Sequence, residues 1–324
     1  MSTNTSFNAV GGFHSLLVNN QTGGQLYRGN ASTQRSPSGT IAYDPRSGIF
    51  TMTLSDTNAG ITRDFQFQDP AHRIDFDAAR RPELEVPDLD GFNYLTARDG
   101  DANGTFFYQR PGVSTNYVTL AGYVRTAMGD PKTGQNLYER GAFVFGSPTA
   151  QAQVPISGSG TYSGGFIASM VVNPTLDNAA RGLDVLQWMY GSTNVTVDFA
   201  KASVSLGFAG RVGQSYQGNT LVADSALTVP TGATFNAEGS AAIDLVRTGG
   251  FSGKFQSAYF SWGNNRVDLD FRAVNPGSST AGASSIDGGF YGPNAVNLGG
   301  SFRIVGGIPD QRIDLQGAFT GAKR

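Results

Sequence analysis

Apolar and polar residues alternate along much of the second half of the chain, which is the pattern of half-buried strands. In residues 195–199 valine and phenylalanine occupy every second position, and residues 204–208 repeat the pattern. Strict alternation also puts Phe255 on the opposite face from Ala258 and Phe260. Further strands are predicted at residues 164–172, 241–246, 267–272, 285–291, 300–305 and 312–319. A total of about eight to ten strands suits closure into an antiparallel barrel, which leaves no open edge.

The first half of the chain predicts shorter strands that are separated by turn-rich sequence. Residues 44–48 predict a turn between two strands of a hairpin. Glycine-punctuated residues 11–39 predict loose structure, and residues 75–90 predict a charged surface loop. The strands of this half are predicted at residues 40–43, 49–54, 61–67, 92–95, 105–109, 116–125 and 137–145.

Residues 285–302 predict two antiparallel strands joined by a single helical turn. Pro293 suits the first helical position, and Gly299 is predicted to close the turn in a left-handed conformation. Pairs of glycines lie at the mouths of both strands, where the backbone must bend or approach another strand closely.

Composition supports an all-β fold. The 324 residues include 44 glycines, 14 prolines and 22 phenylalanines, with net charge −2 and no cysteine. This balance gives no basic surface for nucleic acid and excludes disulfides and thiolate metal sites. No apolar run is long enough for a membrane helix. No export leader follows Met1, so the chain either stays inside the cell or has lost a leader.

An uncharged, Pro/Ser/Gly-rich stretch divides the chain. We therefore predict an N-terminal β-domain at residues 1–146, a linker at 147–160, and an antiparallel barrel at 161–324. A transmembrane barrel is the less favoured alternative, because the chain ends past its last aromatic residue.

Residues suited to catalysis are few. His14 and His72 are the two histidines, and no Ser/His/Asp arrangement has a recognisable spacing, so an enzyme is not expected. Asp268 and Asp270 share one face of a predicted strand. Because Arg266 lies beside them, a solvated charged stripe is favoured over a pair of catalytic carboxylates.

A weak calcium-loop pattern occurs in the first half. Asp99, Asp101 and Asn103 place three oxygen-bearing side chains at alternate positions before Gly104. The position of the closing glutamate is occupied by Arg110. A hairpin turn is therefore the favoured interpretation, and a metal site is the alternative.

The sequence Gly-Gly-Phe-Tyr-Gly-Pro-Asn-Ala at residues 288–295, followed by Leu-Gly-Gly, resembles the barrel signature of the transferrin-binding protein B-like family, which includes the hemophilins. Residues 161–164, 197–199, 251–255 and 317–323 resemble other motifs of that barrel. The first half resembles, less specifically, the family's "handle" domain. One handle and one barrel make about half of the bilobed transferrin binder, which puts direct transferrin capture in doubt and points to the smaller, single-lobed members.

Members of this family are Gram-negative surface lipoproteins or secreted proteins. The resemblance implies a non-enzymatic protein that captures an iron-containing ligand, most concretely haem, for a TonB-dependent outer-membrane receptor. It also implies a removed leader, and a membrane attachment only through a lipid anchor that is absent from this sequence. The alternatives are a host-protein-binding or adhesive module, and a binder of another metal chelate such as cobalamin.

Ligand contacts are expected mainly before residue 146. Histidine is a common axial ligand of haem iron, and an arginine can pair with a propionate. We expect aromatic residues of the handle to complete the site. Barrel residues 178–190, where the alternation of apolar and polar residues is interrupted, are expected to contribute as well. The candidate ligand-binding residues are His72, His14, Arg73, Tyr94, Tyr108, Trp188 and Tyr190.

Overall fold

The computed structural model describes residues 4–19, 25–30, 39–56, 61–67, 73–74, 85–99, 102–129, 134–173, 185–225, 228–271, 283–308 and 311–324. Regular structure in these residues is almost entirely β-strand, with single 3-10 turns at Gln151–Gln153 and Pro293–Ala295. The predicted all-β class is confirmed. No helix in this part of the chain is long and apolar enough to cross a membrane.

Ten antiparallel strands form an N-terminal sheet in the order β5-β4-β3-β1-β10-β9-β8-β7-β6, with β2 paired to β1. Phe67 of β5 packs against Phe106 of β8 with ring centroids 5.6 Å apart, so the sheet curls into a nearly closed barrel. The strands are β1 (Thr5–Asn19), β2 (Gln25–Asn30), β3 (Gly39–Asp44), β4 (Ile49–Asp56), β5 (Ile61–Phe67), β6 (Arg73–Ile74), β7 (Phe92–Asp99), β8 (Ala102–Gln109), β9 (Val118–Met128) and β10 (Gln135–Gly146).

The long first strand corrects one prediction. Residues 11–39 were expected to be loosely structured, but β1 has 15 residues and pairs with β10, β2 and β3. Gly11 allows the close approach of β10, because a Cβ atom there would lie 2.1 Å from the carbonyl oxygen of Ala142. The glycine at this position therefore marks a tightly packed strand and not a loop.

Eight strands close the C-terminal barrel in the order β12-β11-β20-β19-β18-β16-β15-β13, with β13 pairing back to β12. This confirms the predicted barrel of about eight strands. The strands are β11 (Ser159–Asn173), β12 (Val185–Asp198), β13 (Ser203–Gln217), β14 (Thr220–Val222), β15 (Thr234–Ile243), β16 (Phe251–Trp262), β17 (Asn265–Asp268), β18 (Ala283–Tyr291), β19 (Asn297–Ile308) and β20 (Gln311–Lys323). β14 and β17 extend the sheet beyond the closed circle.

Phenylalanine rings fill the barrel interior. The ring of Phe208 lies 4.9 Å from that of Phe302, 5.3 Å from that of Phe166 and 5.4 Å from that of Phe319, measured between centroids. All four side chains are buried in one cluster that spans the barrel. An eight-stranded barrel is just wide enough for such a core, so ligands must be sought on its outer face and loops.

A β-bulge changes the predicted faces of β16. Gly239 pairs with Phe255 and Glu238 with Ser257, so Gln256 is an extra residue without a partner on β15. The bulge turns Phe255, Ala258 and Phe260 to the same buried side. Strict alternation had put Phe255 on the opposite face, and that prediction is wrong.

The turn after β18 also differs from its prediction. Its left-handed residues are Gly292, Asn294 and Ala295, with φ between 52° and 73°. Gly299 lies within β19, which already begins at Asn297. The left-handed glycine therefore precedes the 3-10 turn and does not close it.

The two sheets pack through their outer faces. Leu120 and Val144 of the N-terminal sheet join Ile167, Trp188 and Ala318 of the barrel in one buried cluster. Between the sheets, residues 147–158 run along the barrel end. There the Thr149 amide donates to the Phe290 carbonyl at 2.8 Å, and the Gln151 side chain donates to the Leu245 carbonyl at 2.6 Å. The division into residues 1–146, 147–160 and 161–324 stays a prediction.

Candidate functional site

A buried polar layer lies where the N-terminal sheet meets the barrel. His14 and Arg140 project from neighbouring positions of β1 and β10. Ser169, Asp314 and Gln316 project from the barrel strands opposite, and all five residues are buried. Polar groups in such a layer must bond to each other, because water is excluded.

His14 is held inside this layer. Its Nε2 atom lies 2.6 Å from the Ser169 hydroxyl, and 3% of the residue is exposed. Burial lowers the pKa of His14 to about 4, because desolvation and the charges of Arg140 and Arg303 outweigh the attraction of Asp314. The imidazole is therefore neutral at pH 7. A role of His14 in haem ligation stays a prediction.

Two ion pairs complete the layer. Arg303 donates to both carboxylate oxygens of Asp314, at 3.2 and 2.9 Å. Arg140 lies 3.3 Å from Glu85, and it also donates to the carbonyl oxygen of Gly218 on the barrel at 2.8 Å. The Arg303–Asp314 pair lies within the barrel and the Arg140–Glu85 pair within the N-terminal half. The hydrogen bond from Arg140 to the Gly218 carbonyl therefore links this layer across the two sheets.

Several predicted site residues lie wholly or partly outside the described part of the chain. His72 and Asp101 lie outside the described residues. Arg73 belongs to β6 and pairs with Leu95 through the backbone, but its side chain is also outside the description. Their roles stay predictions.

The two candidate tyrosines of the first half are buried in cores. The Tyr94 hydroxyl donates to the Pro87 carbonyl at 2.8 Å and accepts from the Leu89 amide at 3.0 Å. Burial raises the pKa of Tyr94 above its ordinary value. Tyr108 accepts a hydrogen bond from the Asn93 side chain at 3.2 Å, inside the N-terminal sheet.

The predicted barrel loop at residues 178–190 is wrong over its described part, because Trp188 and Tyr190 lie within strand β12. Residues 178–184 lie outside the described residues. A bulge between Gln187 and Met189 causes the irregular pattern that suggested a loop. The Trp188 ring packs edge-on against Phe107 at 5.5 Å between centroids, and this contact joins the barrel to the N-terminal sheet.

Asp99 and Asn103 lie in the β7–β8 hairpin. Asp99 pairs with Ala102 and Arg98 with Asn103, which is the hairpin arrangement that the sequence favoured. The described residues contain no group of three or more metal-binding side chains. A calcium site at this turn stays a prediction.

The structure contains an open groove of about 690 Å³ that the sequence did not predict. One wall is the chain after β8, and the other is the outer side of β11, β12 and β20. The described residues that line it are Gln109, Ser114, Ser163, Gly164, Gly165, Ser192, Thr193, Asn194, Ala322, Lys323 and Arg324. These four segments are far apart in the sequence and carry small polar residues, so no spacing motif marks them.

The loop between β8 and β9 presents apolar side chains beside the groove. Val113 is 53% exposed and Tyr117 is 40% exposed. The loop is fixed to the barrel by Asn297, whose side-chain oxygen accepts from the amides of Asn116 and Tyr117 at 3.1 and 3.0 Å. A held loop with an exposed aromatic ring is a typical protein-contact surface.

The family described as C-lobe and N-lobe β-barrels of Tf-binding protein B matches residues 154–324. A curated relative, Transferrin-binding protein B of Neisseria meningitidis serogroup B, is 32% identical over 80 residues. That match covers 25% of this chain and 12% of the relative's length.

Solved structures of Transferrin Binding Protein B are also similar. A double mutant from Haemophilus parasuis gives a TM-score of 0.40 at 13% identity, and the match covers 100% of this chain and 76% of that one. Isotype 1 from serogroup B Neisseria meningitidis gives a TM-score of 0.34 at 12% identity, over 100% of this chain and 77% of that one.

Proposed function

The chain belongs to the family of C-lobe and N-lobe β-barrels of Tf-binding protein B, and on that premise we propose that it is a non-enzymatic binding protein of bacterial iron acquisition. Its ligand is an iron-carrying protein or an iron compound. A TonB-dependent outer-membrane receptor takes over the captured iron. The protein then acts at the cell surface or after secretion. Family membership and the name of the curated relative support this proposal.

The packed interior of the barrel supports a binding site on the outer surface. Phe166, Phe208 and Phe302 fill the centre with buried rings. A ligand therefore has to contact the outer surface. The observation that carries the proposal is the loop of residues 110–117, which exposes Val113 and Tyr117 while Asn297 holds its backbone. Such a surface favours a protein ligand over a deeply enclosed small molecule.

We test this proposal by measuring the binding of iron-loaded transferrin to the immobilised chain. Tyr117→Ser is expected to weaken binding by roughly tenfold, which is the typical effect of truncating an aromatic contact residue. Ile156→Ser is the matched control, because Ile156 is an exposed apolar residue of another loop, at 77% exposure. Equal affinities of the wild-type chain and the Tyr117 variant would exclude this loop as the contact.

Haem is the second candidate ligand. His72 and Arg73 are adjacent in the sequence and provide an imidazole for iron and a guanidinium for a propionate. Haemin titration followed at the Soret band tests this candidate. A saturable complex that disappears in His72→Ala supports haem capture. The same spectra for His72→Ala and the wild-type chain would rule out His72 as the ligand.

A further inference from the structure

The groove described above is lined by polar side chains together with glycine and alanine. Its described lining residues provide hydroxyl groups, carboxamides, an ammonium and a guanidinium, and none of them has an acidic or aromatic side chain. The hydroxyl and carboxamide groups can donate and accept hydrogen bonds, and Lys323 and Arg324 add positive charge. An oxygen-rich, negatively charged ligand complements such a surface.

Arg324 is held in place at one wall. Its Nε atom donates to the Ser163 hydroxyl at 2.8 Å, and this bond orients the guanidinium beside the groove. A planar guanidinium matches the two oxygens of a carboxylate, which it can bind through two parallel hydrogen bonds.

Gln109 lines the other wall of the groove. The Ser114 hydroxyl donates to its Oε1 atom at 2.6 Å, which fixes the amide so that its NH2 group is the remaining donor. Ser192 and Asn194 add exposed polar side chains on β12. The lining therefore offers hydrogen-bond partners for hydroxyl groups in addition to the Arg324 guanidinium.

The floor of the groove is kept low by small residues. A Cβ atom added at Gly165 would lie 3.3 Å from the carbonyl oxygen of Gly191, so the glycine allows β11 and β12 to approach closely under the groove. Ala322 forms the neighbouring part of the floor on β20.

We propose that this groove is a binding site for oxygen-rich carboxylates, with Arg324 as the carboxylate anchor. Two sources share this chemistry: the acidic terminal sugar of a glycan, and a polycarboxylate chelate of iron. The groove shares Ser114 with the loop of residues 110–117, but its proposed ligand differs from the protein ligand proposed for that loop. A chain that fails to bind transferrin can still bind these carboxylates, so the two proposals can fail separately.

The experiment titrates the full chain with 3′-sialyllactose, lactose, citrate and ferric citrate by calorimetry. We expect at least one carboxylate to bind. If the source is a glycan, we expect lactose to bind at least tenfold more weakly than 3′-sialyllactose. Binding of ferric citrate without binding of sialyllactose assigns the site to an iron chelate. No binding of any carboxylate, or equal binding of lactose and sialyllactose, would overturn the proposal.

Variants locate the binding in the groove. Arg324→Gln is expected to weaken carboxylate binding by about tenfold or more, as one charge-assisted contact is lost. Ser192→Trp, at an exposed position, is expected to fill the groove and abolish binding. Lys201→Gln is the control, because Lys201 is an exposed lysine elsewhere that pairs with Asp198. If Ser192→Trp fails to fold, Arg324→Gln alone decides: wild-type affinity in that variant contradicts the assignment.

Discussion

Acidification is expected to destabilise the chain through His14. In the folded protein the pKa of His14 is lowered from 6.5 to about 4, chiefly by desolvation. The unfolded chain therefore binds a proton at a higher pH than the folded chain does. The stabilisation is fully present above pH ~6.5 and is lost as the pH falls towards ~4.

The magnitude follows from the two pKa values. Their difference, multiplied by the free energy per pH unit, gives about 3 kcal/mol, most of which is lost by pH ~4.5. This is a large part of the 5–15 kcal/mol that typically stabilises a domain. Because His14 bonds to Ser169 across the two sheets, the loss falls on the contact between them.

Urea unfolding between pH ~7.5 and ~4.5 measures this effect, with His14→Gln as the comparison. Glutamine keeps a hydrogen-bonding group near Ser169 but has no proton to gain. Titration of Asp314 and the other carboxylates affects both chains, so the difference between them isolates His14. Parallel losses of unfolding free energy in the two chains would show that His14 does not cause the loss of stability.

Three further predictions concern stability. Phe208→Ala removes a ring that has three ring neighbours at 4.9–5.4 Å between centroids. We expect it to lower the free energy of unfolding in urea by about 3–5 kcal/mol. A loss below ~1 kcal/mol would contradict a packed interior. Asn297→Ala removes the acceptor of two amides and is expected to cost about 1–3 kcal/mol. It should also speed hydrogen exchange at residues 116–117, and unchanged exchange there would speak against the anchor. Arg140→Met leaves the buried Glu85 carboxylate without its ion-pair partner. We expect the free energy of unfolding to fall by about 3–5 kcal/mol. An unchanged free energy of unfolding would show that the pair is solvated.

The barrel was predictable because alternation is a local property. Val195 and Val197 face the interior in the structure, as every second residue of a regular strand must. The bulge at Gln256 was not predictable, since an extra residue is defined only by its pairing with β15. β1 was missed because Gly11 is a turn signal in sequence and a close-packing residue in the fold.

The candidate sites depended more on tertiary structure. His14 was recognised as chemically notable, but its burial depends on Ser169, which lies 155 residues away in the chain. The groove joins residues 109–114 to 163–165, 192–194 and 322–324, and no local pattern links these segments. Exposure of Tyr117 likewise follows from the barrel contact of its loop.

The proposed capture of an iron-carrying ligand on the outer surface can be measured by hydrogen exchange of the full chain, with and without saturating iron-loaded transferrin. We expect slower exchange at residues 109–118, and unchanged exchange in the β16–β17 hairpin at the far end of β16. Absence of any protection, or protection confined to that hairpin, would contradict it.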